Sequence, residues 1–265
     1  MKLPSKNLKD FQNRNIWILG ASSGIGEACA ELLSKLGANL IISSRRIASL
    51  EKVALSCQEL HKHKATPLII PMDVTDDQSV ITACNLAFEK CSKIDLLLVM
   101  SGIYEPMRAD EFDFSNAFKT VNTNLLGVMR IIGQTMPHMI AQGEGHIAIT
   151  ASVAGYRGLP NALSYGPTKA ALINFAETLY YDLEPRGVHV HLIAPGFVET
   201  PATSINQFKM PALISPQTAA LEIIKGLQRG EFDIHFPKKF TYFMKFLSII
   251  PYSIYFWILK KFIKI

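Results

Sequence analysis

A glycine-rich turn between a predicted strand and a predicted helix constrains the fold of this chain more than any other feature. Residues 16–19 form an apolar run typical of a buried strand, the sequence GASSGIG follows at 20–26, and a helical pattern continues to residue 37. Such glycines let the backbone approach a pyrophosphate, and unpaired amides at a helix start favour its charge. We expect a dinucleotide site here, with a tight turn that binds nothing as the alternative. The predicted contacts are Gly20, Ser22, Ser23, Gly24, Ile25 and Gly26.

Further strands alternate with helical patterns along the chain. Apolar runs at residues 39–43, 66–72, 94–100, 146–150 and 188–194 predict them. Apolar strands without alternation are typical of a parallel sheet buried on both faces. The sequence therefore predicts an α/β fold, a Rossmann-like doubly wound parallel sheet of at least six strands in one domain, with a C-terminal amphipathic helical extension. Ligands of such sheets bind beyond the carboxyl ends of the strands.

Charge and cysteine usage limit the classes of partner and compartment. The net charge is +5, but residues 236–265 carry six lysines and no acid, which leaves residues 1–235 at −1. The body therefore lacks a nucleic-acid footprint. The four cysteines have no Cys-x-x-Cys pair and no histidine at metal spacing, so we expect free thiols in a reducing compartment and no metal. No secretory signal precedes the first strand, and we expect a cytoplasmic protein.

Two positions after predicted strands bear on the choice of cofactor. Arg45 and Arg46 follow the second strand where an acid would select NAD, and a basic residue there accommodates the 2′-phosphate of NADP. A solvated helix start is the alternative reading of this pair, of which Arg45 is the better candidate. Asp73 and Val74 follow the third strand, where the acid could cap the next helix, reach the adenine, or do both.

A tyrosine and a lysine four residues apart supply the chemistry. Tyr165 and Lys169 would lie over one another on one face of a helix, with Pro167 in its first turn. A fixed positive charge favours the phenolate, so we expect it to draw the pKa of the phenol from about 10 toward neutrality. A solvated helix face is the alternative. Farther back, Asn124 interrupts a predicted helix over 114–139; it is either exposed or holds a water or braces a site.

Over residues 14–231 these motifs, in this order, resemble the classical short-chain dehydrogenase/reductase family. The matching positions are Gly20-x-x-x-Gly24-x-Gly26, Asp73, Asn124, Ser152, Tyr165-x-x-x-Lys169 and Pro195-Gly196. The resemblance also has departures. Leu19 stands where the family usually has Thr, and the Asn-Asn-Ala-Gly stretch appears as Val99-Met100-Ser101-Gly102, which removes hydrogen bonds usually made to the central sheet.

The resemblance implies a role for each matching residue. Tyr165 would protonate a carbonyl oxygen as hydride arrives from NADP(H), and Ser152 would donate a hydrogen bond to that oxygen. Lys169 would lower the pKa of the phenol and hold the nicotinamide ribose, while Asn124 would position a water that relays protons. Further cofactor contacts would come from Gly102, Pro195, Gly196, Val198 and Thr200. The implied activity is interconversion of a secondary alcohol and a ketone.

Two segments outside the motifs bear on substrate and surroundings. Residues 201–216 occupy the place of the family's variable substrate lid, and their apolar side chains, with Tyr104, Tyr156, Leu159 and Leu163, favour a small apolar substrate. Lys209 is the only charge in that segment. We divide the chain into a catalytic domain, residues 1–235, and an extension, residues 236–265.

The extension is apolar, aromatic and basic. Residues 240–265 are short for a spanning helix and fit a segment lying in a membrane interface, where lysines such as Lys264 attract anionic lipid. Tyr252, Tyr255 and Trp257 are types that favour such a boundary. Some bacterial family members look similar here. A subunit interface, in a homodimer or homotetramer, is the alternative reading of the extension, and an NADP-binding regulator or scaffold with little turnover is the rival reading of the whole chain.

Overall fold

A seven-stranded parallel sheet with helices on both faces forms the body of the chain. The computed structural model describes residues 7–62, 64–206, 208 and 210–262, so Lys209 and Lys264 lie outside the described residues. The strands are β1 (Asn15–Leu19), β2 (Asn39–Ser43), β3 (Leu68–Ile69), β4 (Leu96–Val99), β5 (Gly145–Thr150), β6 (Val188–Pro195) and β7 (Asp233–Phe236). They are arranged in the order β3-β2-β1-β4-β5-β6-β7. The predicted fold class is confirmed.

The helices follow the strands in the alternation that the sequence predicts. They are α1 (Gly24–Lys35), α2 (Ile47–Leu60), α3 (Asp77–Lys90), α4 (Phe114–Val121), α5 (Gly127–Gln142), α6 (Tyr165–Leu183), α7 (Pro216–Gln228), α8 (Lys238–Ile249) and α9 (Tyr252–Phe262). A π-helical turn, Asn122–Leu126, joins α4 to α5. Among the described helices, none has the length and apolar character needed to cross a membrane.

The core has one apolar layer on each face of the sheet. Alternate residues of β1 divide between them: Ile16 and Ile18 pack toward α1, α2 and α7, whereas Trp17 and Leu19 pack toward α3, α5 and α6. All four side chains are fully buried, and each such burial stabilises the fold by about 1.5–3 kcal/mol. The indole of Trp17 donates to Ser43 Oγ at 2.9 Å, so its polar atom is also satisfied. The strand order reverses between β1 and β4, which opens a crevice beyond their carboxyl ends.

Three elements differ from the sequence prediction. The strand predicted over residues 66–72 pairs only at Leu68–Ile69, because it is the short edge of the sheet. The helix predicted as one element over 114–139 contains the π-helical turn around Asn124. A seventh strand, β7, lies beside β6 and ends at Phe236, one residue past the predicted boundary at 235. The division into two domains stays a prediction.

The C-terminal helices fold back onto the body of the chain. Met244, Leu247 and Tyr255 are buried against Val153 and neighbouring apolar side chains. Tyr255, grouped with Tyr252 and Trp257 in the sequence as a boundary residue, is only 1% exposed and donates a hydrogen bond to the carbonyl of Gly158 at 2.6 Å. We call α8 and α9 together the C-terminal hairpin.

Candidate active site

One large cleft lies beyond the carboxyl ends of the central strands. Its volume is about 1580 Å³, larger than the roughly 300–1000 Å³ of a pocket for one small ligand, so it has room for two. The predicted site residues that line it are Gly20, Ser22, Ser23, Gly24, Ile25, Gly26, Arg45, Arg46, Asp73, Val74, Gly102, Ser152, Tyr165, Lys169, Pro195, Gly196, Val198 and Thr200. Asn124 is the one predicted site residue that does not line it.

The glycine turn delivers the start of α1 to this cleft. Gly20 has a φ of +80°, and a Cβ there would lie 2.8 Å from the amide nitrogen of Ser101. A Cβ on Gly26 would lie 2.3 Å from the carbonyl oxygen of Gly20, so both positions require glycine for backbone packing. The N-cap residue of α1, Ser23, makes no side-chain capping hydrogen bond. The Glu27 carboxylate bonds the amide of Gly24, and the amides that follow it in the first turn of α1 are available to an anion in the cleft.

Arg45 and Arg46 lie at the outer end of the same wall. Both are exposed and line the cleft, between β2 and α2. Arg46 Nη2 lies 3.5 Å from Ser22 Oγ, which brings this guanidinium beside the glycine turn. A phosphate bound near the turn would thus meet two positive charges.

Asp73 does not cap the helix that follows it. Its Oδ1 accepts from the amide and hydroxyl of Thr75 at 2.9 and 2.8 Å, which closes a local turn. The N-cap of α3 is Asp76, whose carboxylate accepts from the amide of Ser79. The capping alternative for Asp73 is therefore wrong, and its contact with adenine stays a prediction.

Tyr165 and Lys169 lie one turn apart on the buried face of α6. Helix α6 begins at Tyr165, and Lys169 is only 4% exposed. The Lys169 ammonium donates to the carbonyl of Thr150 at 2.9 Å and lies 5.6 Å from the centre of the Tyr165 ring. The solvated-face alternative for this pair is wrong.

Burial is the main influence on the pKa values of Tyr165 and Lys169 in the chain without ligands. It raises the pKa of Tyr165 to about 12, although a hydrogen bond with Ser152 acts in the opposite direction. Burial lowers the pKa of Lys169 to about 8. The expected lowering of the Tyr165 pKa by Lys169 is therefore not found: desolvation of the phenolate raises the pKa, and the group that acts against it is Ser152.

Ser152 comes from the turn after β5. It is the N-cap of a short 3₁₀ turn, and its Oγ accepts from the amide of Ala154 at 3.2 Å. That bond leaves the hydroxyl proton of Ser152 to donate elsewhere. Both Ser152 and Tyr165 thus bring a hydroxyl to one region of the cleft.

Asn124 braces the chain behind the cleft. It is fully buried, its Nδ2 donates to the carbonyl of Ile103 at 2.8 Å, and its Oδ1 accepts from the amide of Ile103 at 2.8 Å. This paired bond fixes the loop after β4 to the π-helical turn. The exposed alternative is therefore wrong, bracing is what the structure shows, and a water held for a proton relay stays a prediction.

The positions that depart from the family pattern make their own contacts. The amide of Met100 donates to the carbonyl of Leu19 at 2.9 Å, and Thr150 Oγ1 lies 2.9 Å from Met100 Sδ. Ser101 lines the cleft, and its buried Oγ has no hydrogen-bond partner among the described residues. A buried hydroxyl without a partner is costly, so this atom suits a ligand that bonds to it.

The other half of the cleft is apolar, and only some of the residues predicted to line it do so. Tyr104 and Leu159 line it, but Tyr156 and Leu163 do not. Within the described part of segment 201–216 the lining residues are Pro201, Ala202, Thr203, Asn206, Phe208 and Pro211, so most of the apolar side chains expected there face elsewhere. Tyr104 packs edge-on to Tyr165 at 5.0 Å and donates to Asn206 Oδ1 at 3.2 Å, which ties the segment to the site.

Sequence reasoning missed the contribution of the C-terminal hairpin. Its side chains lining the cleft are Phe240, Phe243, Met244, Leu247, Trp257, Ile258 and Leu259. Phe240, Met244 and Leu247 repeat at the spacing of one helix face. That stripe was the available signal for a buried surface.

The sheet order and the cleft holding Tyr165 and Lys169 define a Rossmann-type oxidoreductase. The chain belongs to the short chain dehydrogenase family, whose family model matches residues 14–209. The predicted family resemblance is confirmed. The likeness of the extension to bacterial members stays a prediction.

Individual relatives extend over nearly the whole chain. An uncharacterized oxidoreductase of Myxococcus xanthus is 27% identical over 92% of this chain and 95% of its own. A protein of Anopheles gambiae named dehydrogenase/reductase SDR family protein 7-like is 30% identical over 98% of this chain and 86% of its own. The structure of a Thermococcus sibiricus alcohol dehydrogenase with 5-hydroxy-NADP has a TM-score of 0.76 at 23% identity, covering 84% of this chain and 96% of that one, and shares the fold.

Proposed function

We propose that this oxidoreductase uses NADP(H) to interconvert a secondary alcohol and a ketone on an apolar, lipid-like substrate. The observation that carries the proposal is the placement of Tyr165, Lys169 and Ser152 in the same cleft as the open start of α1. One end of the cleft suits a phosphate and the other suits an apolar ligand, with two hydroxyl groups between them. That arrangement fits hydride transfer to a carbonyl held against Tyr165 and Ser152.

The residues present fit a nicotinamide dinucleotide. Ser23, the N-cap residue of α1, caps none of its first amides, and Ser101 Oγ is buried with no partner among the described residues. Arg45 and Arg46 offer positive charge for a 2′-phosphate, and no acid occupies their position. These groups would hold the pyrophosphate and the adenosine ribose. Gly102, Pro195, Gly196, Val198 and Thr200 would flank the nicotinamide end.

The nicotinamide, when bound, supplies the hydride. Tyr165 keeps its proton at neutral pH, since the pKa of this buried phenol is about 12, so its Oη can donate to the substrate oxygen. Ser152 Oγ donates to the same oxygen and fixes its position. The Lys169 ammonium lies close enough to stabilise negative charge as it develops on Tyr165, where low polarity strengthens the attraction. In the oxidative direction the proton returns along the same path.

We also propose a cytoplasmic protein that forms a homodimer or homotetramer and contacts the inner face of the membrane through residues 240–265. The α4–α5 surface supports the oligomer, because Phe114, Phe118, Leu126 and Met129 are exposed there and form an apolar face suited to a second copy. The apolar and lysine-rich hairpin supports the membrane contact.

Steady-state NADPH oxidation with a panel of aliphatic and aromatic ketones tests the activity. We expect turnover that rises with the apolar size of the ketone. Tight NADPH binding with no oxidation by any ketone would instead favour the regulator or scaffold reading, and NADH preferred over NADPH would contradict the cofactor assignment.

A further inference from the structure

The C-terminal hairpin forms one wall of the cleft. Its inner side places Phe240, Met244 and Leu247 of α8 and Ile258 of α9 along the apolar end. These residues follow β7, an edge strand of the sheet, in the chain. The chemistry at Tyr165 is therefore separated from solvent partly by a segment that is not needed to build the sheet.

Arg157 fixes the hairpin in this position. Its Nη1 donates to the carbonyls of Leu247 and Ile250, both at 2.7 Å, which are at the end of α8 and just after it. Its guanidinium also stacks on the rings of Tyr252 and Tyr255 at 4.2 Å each. Because one cation holds both helices, the hairpin has a defined inner and outer face.

The outer face is apolar and surrounded by positive charge. Its exposed side chains, 48–79% accessible, are Tyr242, Phe246, Ile249, Tyr252, Ile254, Phe256 and Trp257. Lys239, Lys260 and Lys261 are exposed beside them, and residues 237–262 contain no acid. Aromatic and aliphatic side chains ringed by lysines match the boundary of an anionic lipid surface.

A second copy of the chain fits this face poorly. A two-fold interface places a surface against itself, so the exposed Lys239, Lys260 and Lys261 would meet their own copies, while the nearby acids Glu231 and Asp233 are already paired with Lys238 and Lys245. The apolar face on α4 and α5, around Phe114 and Phe118, is a separate surface for self-association. Charge therefore favours lipid on the hairpin.

The cleft reaches the same face. Phe243 and Trp257 line the cleft and are 51% and 59% exposed, so each side chain belongs to the interior wall and to the outer surface. We propose that the hairpin docks on an anionic membrane and that a long-chain ketone or alcohol passes from the bilayer into the cleft beside Phe243 and Trp257. This inference rests on the proposed function for its chemistry, whereas the docking step stands on the hairpin alone.

Flotation of the full chain tests the docking step. Vesicles of phosphatidylcholine alone are compared with vesicles containing a third phosphatidylglycerol. The variant Phe246→Gln/Ile249→Gln/Ile254→Gln removes apolar side chains of the outer face that do not line the cleft. The control Leu55→Gln/Leu60→Gln/Leu221→Gln removes three exposed apolar side chains from α2 and α7. Wild type and control should float with the anionic vesicles, and the hairpin variant should lose at least tenfold in the bound fraction.

Turnover by the same proteins tests the passage of substrate. The probes are a long-chain methyl ketone dissolved in the vesicles and a short water-soluble ketone. The hairpin variant should lose at least tenfold in kcat/KM for the vesicle ketone and stay within twofold of wild type for the soluble one, which also shows that it is folded.

Two results would overturn the inference: a wild type that stays in solution, and a hairpin variant that keeps full activity on the vesicle ketone. If the wild type stays in solution and the hairpin variant also dissociates its dimer in light scattering, the face is assigned to a second copy. Intact flotation with no turnover of either ketone would overturn the proposed function and the passage of substrate but not the docking.

Discussion

The Lys169 ammonium lies 5.6 Å from the centre of the Tyr165 ring, one helical turn from it and away from solvent. Burial separates the roles of the two groups by moving their pKa values apart: Lys169 to about 8 and Tyr165 to about 12. Between those values the phenol keeps its proton while the lysine loses its charge. The group that titrates near physiological pH is thus the lysine.

That separation predicts the pH dependence of ketone reduction. The pKa of Lys169 is lowered, so its charged form is present below about pH 8 and is lost as the pH rises through that value. We therefore expect kcat to fall as the pH rises through about 8, which forms the descending limb of the pH profile. In Lys169→Arg the guanidinium stays charged, so the limb should disappear even if kcat is lower by about 10²–10⁴-fold. A pH profile of kcat from 6 to 10 checks this, and an unchanged limb in the variant would assign it to another group.

Arg45 and Arg46 predict the choice between the two nicotinamide cofactors. Replacing both with alanine removes positive charge from the expected site of the 2′-phosphate. The KM for NADPH should rise by about 10–100-fold, the effect of losing a charged hydrogen bond or two, while the KM for NADH changes less than threefold. Arg186→Ala, at an exposed arginine beyond α6, is the control. Equal effects on both cofactors would contradict the assignment.

The hydrogen bonds of Asn124 predict an effect of its replacement on stability. Asn124→Leu removes both hydrogen bonds to Ile103 and leaves a backbone N–H and a C=O without them. The free energy of unfolding should fall by about 2–4 kcal/mol, measured by urea denaturation. Asn116→Leu, on the more exposed α4, should cost far less. If Asn124→Leu is as stable as wild type, the brace is not what requires asparagine.

A buried histidine predicts how stability changes with acid. His191 Nδ1 lies 2.7 Å from the carbonyl of Glu231, so it must donate there, and its Nε2 accepts from His146 Nδ1 at 2.9 Å. Burial lowers the pKa of His191 to about 4 from 6.5. The unfolded chain therefore takes up a proton at a higher pH than the folded chain. Stability is full above pH 6.5 and should be lost as the pH falls toward 4, by at most about 3 kcal/mol.

Urea denaturation at pH 7, 6 and 5 measures this loss. His191→Gln keeps a donor and an acceptor without titrating, so its stability should depend less on pH over that range. His138→Gln, at an exposed histidine of α5, should follow the wild type. If His191→Gln loses stability with acid as steeply as wild type, another group is responsible.

The parts that sequence predicted are those fixed by local pattern. The glycine turn, the strand over Asn39–Ser43 and the Tyr165–Lys169 spacing follow from backbone geometry and helical periodicity, which a sequence displays directly. The sequence also displays directly the alternation of strands with helices, which identifies the parallel sheet.

The parts that sequence could not predict depend on contacts between distant residues. Arg157 looks like an ordinary surface charge in the sequence, because the α8 and α9 residues that contact it lie about ninety residues later. The pKa of Tyr165 is raised by the burial of its side chain, which the sequence does not display. Asn124, in the π-helical turn, bonds to Ile103, a contact between distant residues that helix propensity does not predict.

The most direct test of the account is the variant Tyr165→Phe, assayed for NADPH oxidation with an apolar ketone and for NADPH binding by fluorescence. The substitution removes only the hydroxyl, whose hydrogen bond among the described residues is the one with Ser152, so the cleft should keep its shape. We expect kcat to fall by at least 10³-fold while the Kd for NADPH stays within threefold of wild type. Turnover near the wild-type rate in this variant would contradict the central claim that Tyr165 supplies the proton.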